Sequence, residues 1–216
     1  MHLIIAEKHD AAKRIAQILS GNKPRPYRIG GVEAFKFDDK VVMGLSGHIV
    51  GVDYPPGYNN WQKVDCKELI RAEIVVRPIN DKIVNALRSL GKEADRITVA
   101  TDYDREGELI GVEALKIAKE ANPRLREDRV RYSAIVKDEI LKAFKNAGKV
   151  DYDLAASGEA RQIIDLVWGA ALTRYISLTS GRLGKEFLSV GRVQSPTLAL
   201  IVDREKEIQS FVPKPY

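Results

Sequence analysis

The sequence predicts an α/β domain with a mostly parallel sheet, followed by a helical segment. Three observations carry this. Short apolar runs alternate with stretches of helical period from residue 2 to about residue 147. From Asp151 to Phe211 the strand signals stop and nearly everything has helical period. Between the two, at about 148–152, the pattern changes, and a boundary there divides a domain at 1–148 from a second segment at 149–216.

The elements follow in order. "HLIIAE" is a short apolar run that suits a buried strand, and "DAAKRIAQILSG" has helical spacing, with Asp10 as N-cap and Gly21 as stop. "EAFKFDDKVVMGLSG" reads as a hairpin turning at Asp38-Asp39. "VDYPPGYNNW" reads as loop, punctuated by Pro55, Pro56 and Gly57. "EIVVRP" is an expected strand, followed by a helix over "NDKIVNALRSLGK" that Asn80 opens. "RITVATD" is the next strand and "REGELIGVEALKIAKEA" the next helix, stopped before Pro123. "VRYSAI" and "KDEILKAFKNAGK" form the last strand and helix pair. Beyond the boundary, "DLAASGEARQIIDLVWGAALTRYI" is one long helix and "SGRLGKEFLSVG" a glycine-punctuated loop. "QSPTLALIVDREKEIQSF" is a second helix, with Pro196 in its first turn, where proline is tolerated. Two helices alone make a poor core, so the helical part is expected to be completed by further chain.

Composition narrows the class. Of the 216 residues, 44% are hydrophobic, enough for a packed core. No apolar run approaches the ~20 residues that span a bilayer, so no membrane partner is expected. "MHLIIAEKHD" lacks the basic start and small-residue cleavage site of a signal peptide. Cys66 is the single cysteine, which excludes a disulfide framework or a zinc ribbon within this sequence and suits a reducing, cytoplasmic setting. A net charge of +5 is mildly basic. It suits a polyanionic partner, although many basic proteins bind none.

Within that basic chain lies a concentrated exception. "TVATDYDREGELIG" places Asp102, Asp104, Glu106 and Glu108 within seven residues, directly after a β-branched strand. Strand side chains alternate with period two, so Asp102 and Asp104 leave the strand's carboxyl end on one side, and Glu106 follows on the first helical turn. Ligands bind at the carboxyl ends of strands in such sheets. Three oxygen ligands there make a hard-cation site suited to Mg²⁺. The plainer account is helix capping, in which acids near an N-terminus gain about 0.3–1 kcal/mol each from the dipole. Capping explains one or two of the four well. Glu7 and Lys8 end the first strand. If that strand neighbours "RITVATD", Glu7 stands beside the aspartates, suited to proton transfer, and Lys8 could clamp a phosphate. Taken alone, both also fit ordinary solvated residues.

Together these features resemble a known family. A glutamate after the first strand, followed much later by a D-x-D-x-E-G-E run, is similar to the Toprim domain of topoisomerases, primases and some nucleases. Gly47-His48, in "GLSGHIVGVD", is similar to the type IA DNA topoisomerases in particular. "ARQIIDLVWGAALTRYI" and "SVGRVQSPTLALIVDREKEI" resemble the start of the helical domain that follows Toprim in those enzymes. The resemblance implies a Rossmann-like Toprim fold. It implies Mg²⁺ on Asp102, Asp104 and Glu106, proton transfer to and from the 3′-oxygen by Glu7, and support of the scissile phosphate by Lys8. It places His48, Arg161, Arg192 and Gln194 among the DNA contacts, with single-stranded or underwound DNA as substrate. In that family a tyrosine attacks the phosphorus, and no tyrosine here matches its motif. The resemblance therefore implies an N-terminal part of the enzyme that works with the remaining C-terminal part and is inactive alone. Residue chemistry agrees in part: Arg161 and Asp165 share a helix face at i, i+4, and Arg192 and Gln194 sit at a helix start, whose free N–H groups suit phosphate. A nuclease or primase with a Toprim domain is the alternative. It would share the acids without needing "SVGRVQSPTL".

Overall fold

A strand covered on both faces lies inside the six-stranded sheet of the first unit, and the sequence of β1 (His2–Ala6) explains why. Leu3 and Ile5 face one way and Ile4 and Ala6 the other, and all four are fully buried. The computed structural model describes residues 1–213. In chain order, β1 is followed by α1 (His9–Leu19), β2 (Arg25–Ile29), β3 (Val32–Phe37), β4 (Lys40–Gly44), β5 (Val50–Asp53), α2 (Cys66–Leu69) and β6 (Val75–Pro78). Then come α3 (Asp81–Glu93), β7 (Arg96–Val99), α4 (Arg105–Ala121), β8 (Arg126–Arg129), α5 (Lys137–Lys145), α6 (Tyr152–Thr179) and α7 (Gln194–Ser210).

Six strands form one sheet in the order β2-β3-β4-β1-β7-β8. The pairs β4–β1, β1–β7 and β7–β8 are parallel, and β2–β3–β4 is an antiparallel meander. The expected hairpin is thus β3–β4, turning at Asp38 in the left-handed region (φ 46°). Helices α3 and α4 cover the face bearing Leu3, Ile5, Val41 and Ile97. Helices α1 and α5 cover the face bearing Ile4, Val42, Ala100 and Val130. From β1 the chain builds first on one side, at β4, and later on the other, at β7. The carboxyl end of β1 is therefore where the strand order reverses, the place at which open α/β sheets hold ligands.

Several elements depart from expectation for local reasons. The last strand is Arg126–Arg129, not "VRYSAI". β7 is its one strand neighbour, apart from a single bridge of Arg129 to Gly148, so as an edge strand it needs no apolar period, and its Asp128 bonds to Arg96 and Thr98 of β7. β2 gave no strand signal, being an edge strand with Pro26 within it. β6, expected from "EIVVRP", pairs with β5 in a separate two-stranded sheet, and β5 takes up the start of the expected loop. α1 starts one residue before Asp10, which stands in the first turn rather than at the cap. Asn80 caps α3 as expected, accepting from the Ile83 N–H at 3.3 Å.

The chain forms two compact units, Met1–Gly51 with Val76–Ala160, and Val52–Val75 with the residues from Arg161 on. The composition change at 148–152 lies just ahead of α6, whereas packing changes within α6, after Ala160. The second unit has its own small core, where Tyr54, Leu69 and Ala171 are buried. Among the described residues no helix is long and apolar enough to cross a membrane.

Candidate active site

The acidic run stands where the sheet topology places a ligand site. The Ala100 N–H donates to the Ile5 carbonyl at 2.8 Å, so β1 and β7 stay paired to their carboxyl ends, and Glu7 and Asp102 leave adjacent strands. Two glycines let the surrounding turns close in. A Cβ on Gly44 would lie 2.6 Å from the His9 Cα, so only glycine lets the Glu7–His9 turn pack on β4. A Cβ on Gly107 would lie 2.2 Å from the Asp102 carbonyl oxygen, so the first turn of α4 can approach the acidic loop only with glycine there.

The four acids divide by role. Asp104 caps α4, accepting from the Gly107 N–H at 2.8 Å. Asp102 is exposed. Glu106 meets a histidine, its Oε2 standing 3.2 Å from His48 Nε2. Glu108 turns away from the other three and is fully buried against the guanidinium of Arg129, also fully buried, with Nε to Oε2 at 2.7 Å. Its other oxygen accepts from the Asp151 N–H at 2.8 Å. The crowding in the sequence is thus relieved by spreading the charges among a cap, a histidine and a buried arginine.

Arg129 is the residue that sequence reading missed. It also donates to the carbonyls of Thr101 and Asp102, each at 2.8 Å, and to that of Val130 at 2.5 Å. One side chain thereby holds the backbone from which Asp102 projects. Nothing in the sequence marks this arginine among 35 basic residues. Glu113 was missed as well, though helical spacing reveals it: Glu106 and Glu113, at i, i+7, share a face of α4. His48 is held between them, its Nδ1 lying 3.1 Å from Glu113 Oε1. The hydrogen bond to Glu113 and the charges of both glutamates raise the His48 pKa against the opposing effect of burial. His48 thus stands among the acids of the first unit, while Arg161, Arg192 and Gln194 belong to the second.

Glu7 is largely buried, with 15% of its side chain exposed, and its Oε1 lies 3.5 Å from the ammonium of exposed Lys8. The Tyr132 phenol donates to the Ala100 carbonyl at 2.6 Å. Burial first, then the Asp102 and Glu7 charges, push its pKa up to about 12, so it stays a neutral donor to that carbonyl. Among the described residues no three His, Cys, Asp or Glu side chains close around one point. Asp102, Asp104 and Glu106 are hard oxygen donors near one strand end, but the expected three-ligand convergence is not formed: Asp104 is engaged at the α4 cap and Glu106 at His48. That chemistry fits Mg²⁺, which takes one or two carboxylates and keeps several waters.

In the second unit, Asp165, Gly169, Thr173 and Ser177 recur every four residues along one face of α6. The loop before α7 runs along this stripe. The Leu188 N–H donates to Ser177 Oγ at 2.9 Å and the Val190 N–H to Thr173 Oγ1 at 3.0 Å. This seats Arg192 over Asp165, with Nε to Oδ1 at 2.6 Å. Arg161 reaches the other oxygen at 3.6 Å, the expected i, i+4 pair, so two arginines converge on one aspartate. Arg192 and, to a lesser degree, Arg161 hold the Asp165 pKa below the usual carboxylate range. Gln194 begins α7 close by.

Comparison with known proteins gives the family. Residues 2–135 match the Toprim domain model and residues 149–216 the DNA topoisomerase model. The chain is 54% identical over 216 residues to DNA topoisomerase 1 of Archaeoglobus fulgidus, an alignment covering 99% of this chain and 32% of that protein. It is 33% identical over 235 residues to DNA topoisomerase 3 of Caenorhabditis elegans, covering 99% of this chain and 31% of the other. The structure of full-length topoisomerase I from Thermotoga maritima superposes with a TM-score of 0.67 at 31% identity, over 98% of this chain and 31% of that one. The chain thus spans about a third of the length of these relatives. With its mostly parallel sheet, acids at the strand ends and matches along both segments, the chain belongs to the type IA DNA topoisomerase family and carries that family's Toprim domain.

Proposed function

We propose that this chain supplies the metal-holding and proton-transferring half of a type IA topoisomerase active site, together with part of its single-strand-binding surface. One observation carries the reading. Glu7 and Asp102 follow neighbouring parallel strands, β1 and β7, at the point where the strand order reverses. In the proposed reaction a tyrosine from elsewhere in the enzyme loses its phenolic proton to water and attacks the phosphorus, the bond from phosphorus to the 3′-oxygen breaks, and a 5′-phosphotyrosine forms. Glu7 donates its proton to the departing 3′-oxygen and takes it back on religation. Lys8, exposed beside Glu7, holds the scissile phosphate. Asp102, Asp104 and Glu106 would hold Mg²⁺, which when bound neutralises phosphate charge. Arg161, Arg192 and Gln194 grip the single strand. The cycle of cutting, strand passage and resealing makes the complete enzyme an isomerase of DNA topology.

A gel assay for covalent protein–DNA adduct tests this. The 216-residue chain alone should neither cleave nor relax DNA. With the tyrosine-bearing remainder of the enzyme, joined or in trans, adduct should form, and Glu7→Gln should reduce it about 10²–10⁴-fold. Nicking by the 216-residue chain without any adduct would mean a Toprim nuclease instead.

A further inference from the structure

We propose that the cavity beside the acids receives one unpaired nucleotide of the DNA strand, its base stacked on Tyr103 and its phosphate met by Arg131 and Lys142. This rests on the reading that the chain binds single-stranded DNA, and adds a contact site to it. The cavity has a volume of about 810 Å³ and lies wholly within the first unit. Pockets of roughly 300–1,000 Å³ hold small organic ligands, so a nucleotide fits. Its walls are the acidic loop after β7, the segment after β8 and one face of α5.

The wall chemistry is that of a nucleotide site. Tyr103 lies between the two aspartates, and 56% of it is exposed. An aromatic ring left in solvent beside a cavity is a stacking platform, and stacking tolerates any base. The Arg131 guanidinium lies over one face of the ring, 5.2 Å from its centroid, with Nη2 donating to the Lys149 carbonyl at 3.0 Å, so the base stacks on the opposite face and the remaining N–H groups of Arg131 meet the phosphate. Lys142 supplies a second cation from α5. The remaining carboxylate on the wall, Glu139, is engaged by the N–H and hydroxyl of Ser133, both at 3.0 Å, and by the Ala134 N–H at 3.1 Å. It therefore braces the loop that shapes the cavity. Asp102 and Asp104, the metal-holding acids on either side of Tyr103, repel a phosphate and turn it toward Arg131 and Lys142. Only an unpaired base has a free face to offer the ring, so duplex DNA is excluded.

Photocrosslinking tests the site directly. A fluorescent oligodeoxycytidine carrying one 5-iododeoxycytidine, moved along the strand, is irradiated with the 216-residue chain, and the adduct peptide is mapped. One position should crosslink to Tyr103. Tyr103→Ala should abolish that adduct and weaken binding about tenfold, Tyr103→Phe should keep both, and Arg131→Ala should weaken binding without abolishing the adduct. Mapping on the unmutated chain decides the question even if an alanine variant folds poorly. If the oligonucleotide binds in a salt-dependent way and is weakened by Arg192→Ala, but crosslinks map elsewhere and Tyr103→Ala binds normally, this inference is overturned while the strand-binding reading stands. If the unmutated chain shows no salt-dependent binding, both fall.

Discussion

Replacing Arg129 with methionine should be among the most damaging single changes in the first unit. The side chain is fully buried, and its loss would strand the Glu108 carboxylate, also fully buried, with only the Asp151 N–H as a partner. It would also leave the carbonyls of Thr101, Asp102 and Val130 without this donor. Breaking one side of a buried ion pair costs about 3–5 kcal/mol. With a urea dependence of about 2 kcal/mol per molar, the unfolding midpoint should fall by about 1.5–2.5 M. Far-UV circular dichroism during urea titration measures the shift. The pair Glu108→Gln with Arg129→Met removes the stranded charge and should recover a large part of the loss. An Arg129→Met midpoint equal to that of the unmutated chain, within fitting error, would refute the claim that this pair anchors the acidic loop.

Two further outcomes follow from the same geometry. His2, whose Nε2 lies 2.6 Å from Thr98 Oγ1, and His48 should titrate on opposite sides of the ordinary imidazole value in an NMR pH series. Burial first, and then Arg96, push His2 down to about 4, whereas His48 is raised by Glu113 and Glu106. Between pH 6.5 and about 4 the unfolded chain takes up the His2 proton and the folded chain does not, so stability is lost as pH falls through that window, and His2→Asn should flatten the loss. The His48 contribution has the opposite sign: it is fully present below about pH 6.5 and is lost as pH rises through the raised folded value. In the second unit, Asp165→Asn should tighten single-strand binding several-fold at low salt by releasing Arg161 and Arg192 from a shared anion, while Arg192→Ala should weaken it and lower the salt slope by about one. Fluorescence anisotropy at several salt concentrations reads both, and equal isotherms for all three proteins would remove Arg192 from the contact surface.

What was legible in the sequence depended on how local each signal was. The acidic run and the pairing of Arg161 with Asp165 follow from period two or period 3.6 within one segment, whereas the adjacency of "HLIIA" and "RITV", left conditional by the sequence, came only from the sheet. Arg129 stayed hidden because its partners lie in other segments: Glu108 on α4 and the carbonyls of Thr101 and Asp102 after β7. β8 stayed hidden because an edge strand can be polar, and "REDR" satisfies its charges laterally through Arg96, Lys119 and Thr98. The grouping of 52–75 with the later residues could not be read either, since it depends on long-range burial of Tyr54 and Leu69 with Ala171.

The account turns on whether the acids after β7 hold a divalent cation, and calorimetric titration of Mg²⁺ into the 216-residue chain asks that most directly. The unmutated chain should show saturable binding. The Asp102→Asn, Asp104→Asn double variant, which keeps shape and removes ligand charge, should lose it while keeping its unfolding midpoint within about 1 kcal/mol of stability. Unchanged Mg²⁺ binding by a folded double variant would contradict the assignment of these acids as the metal site.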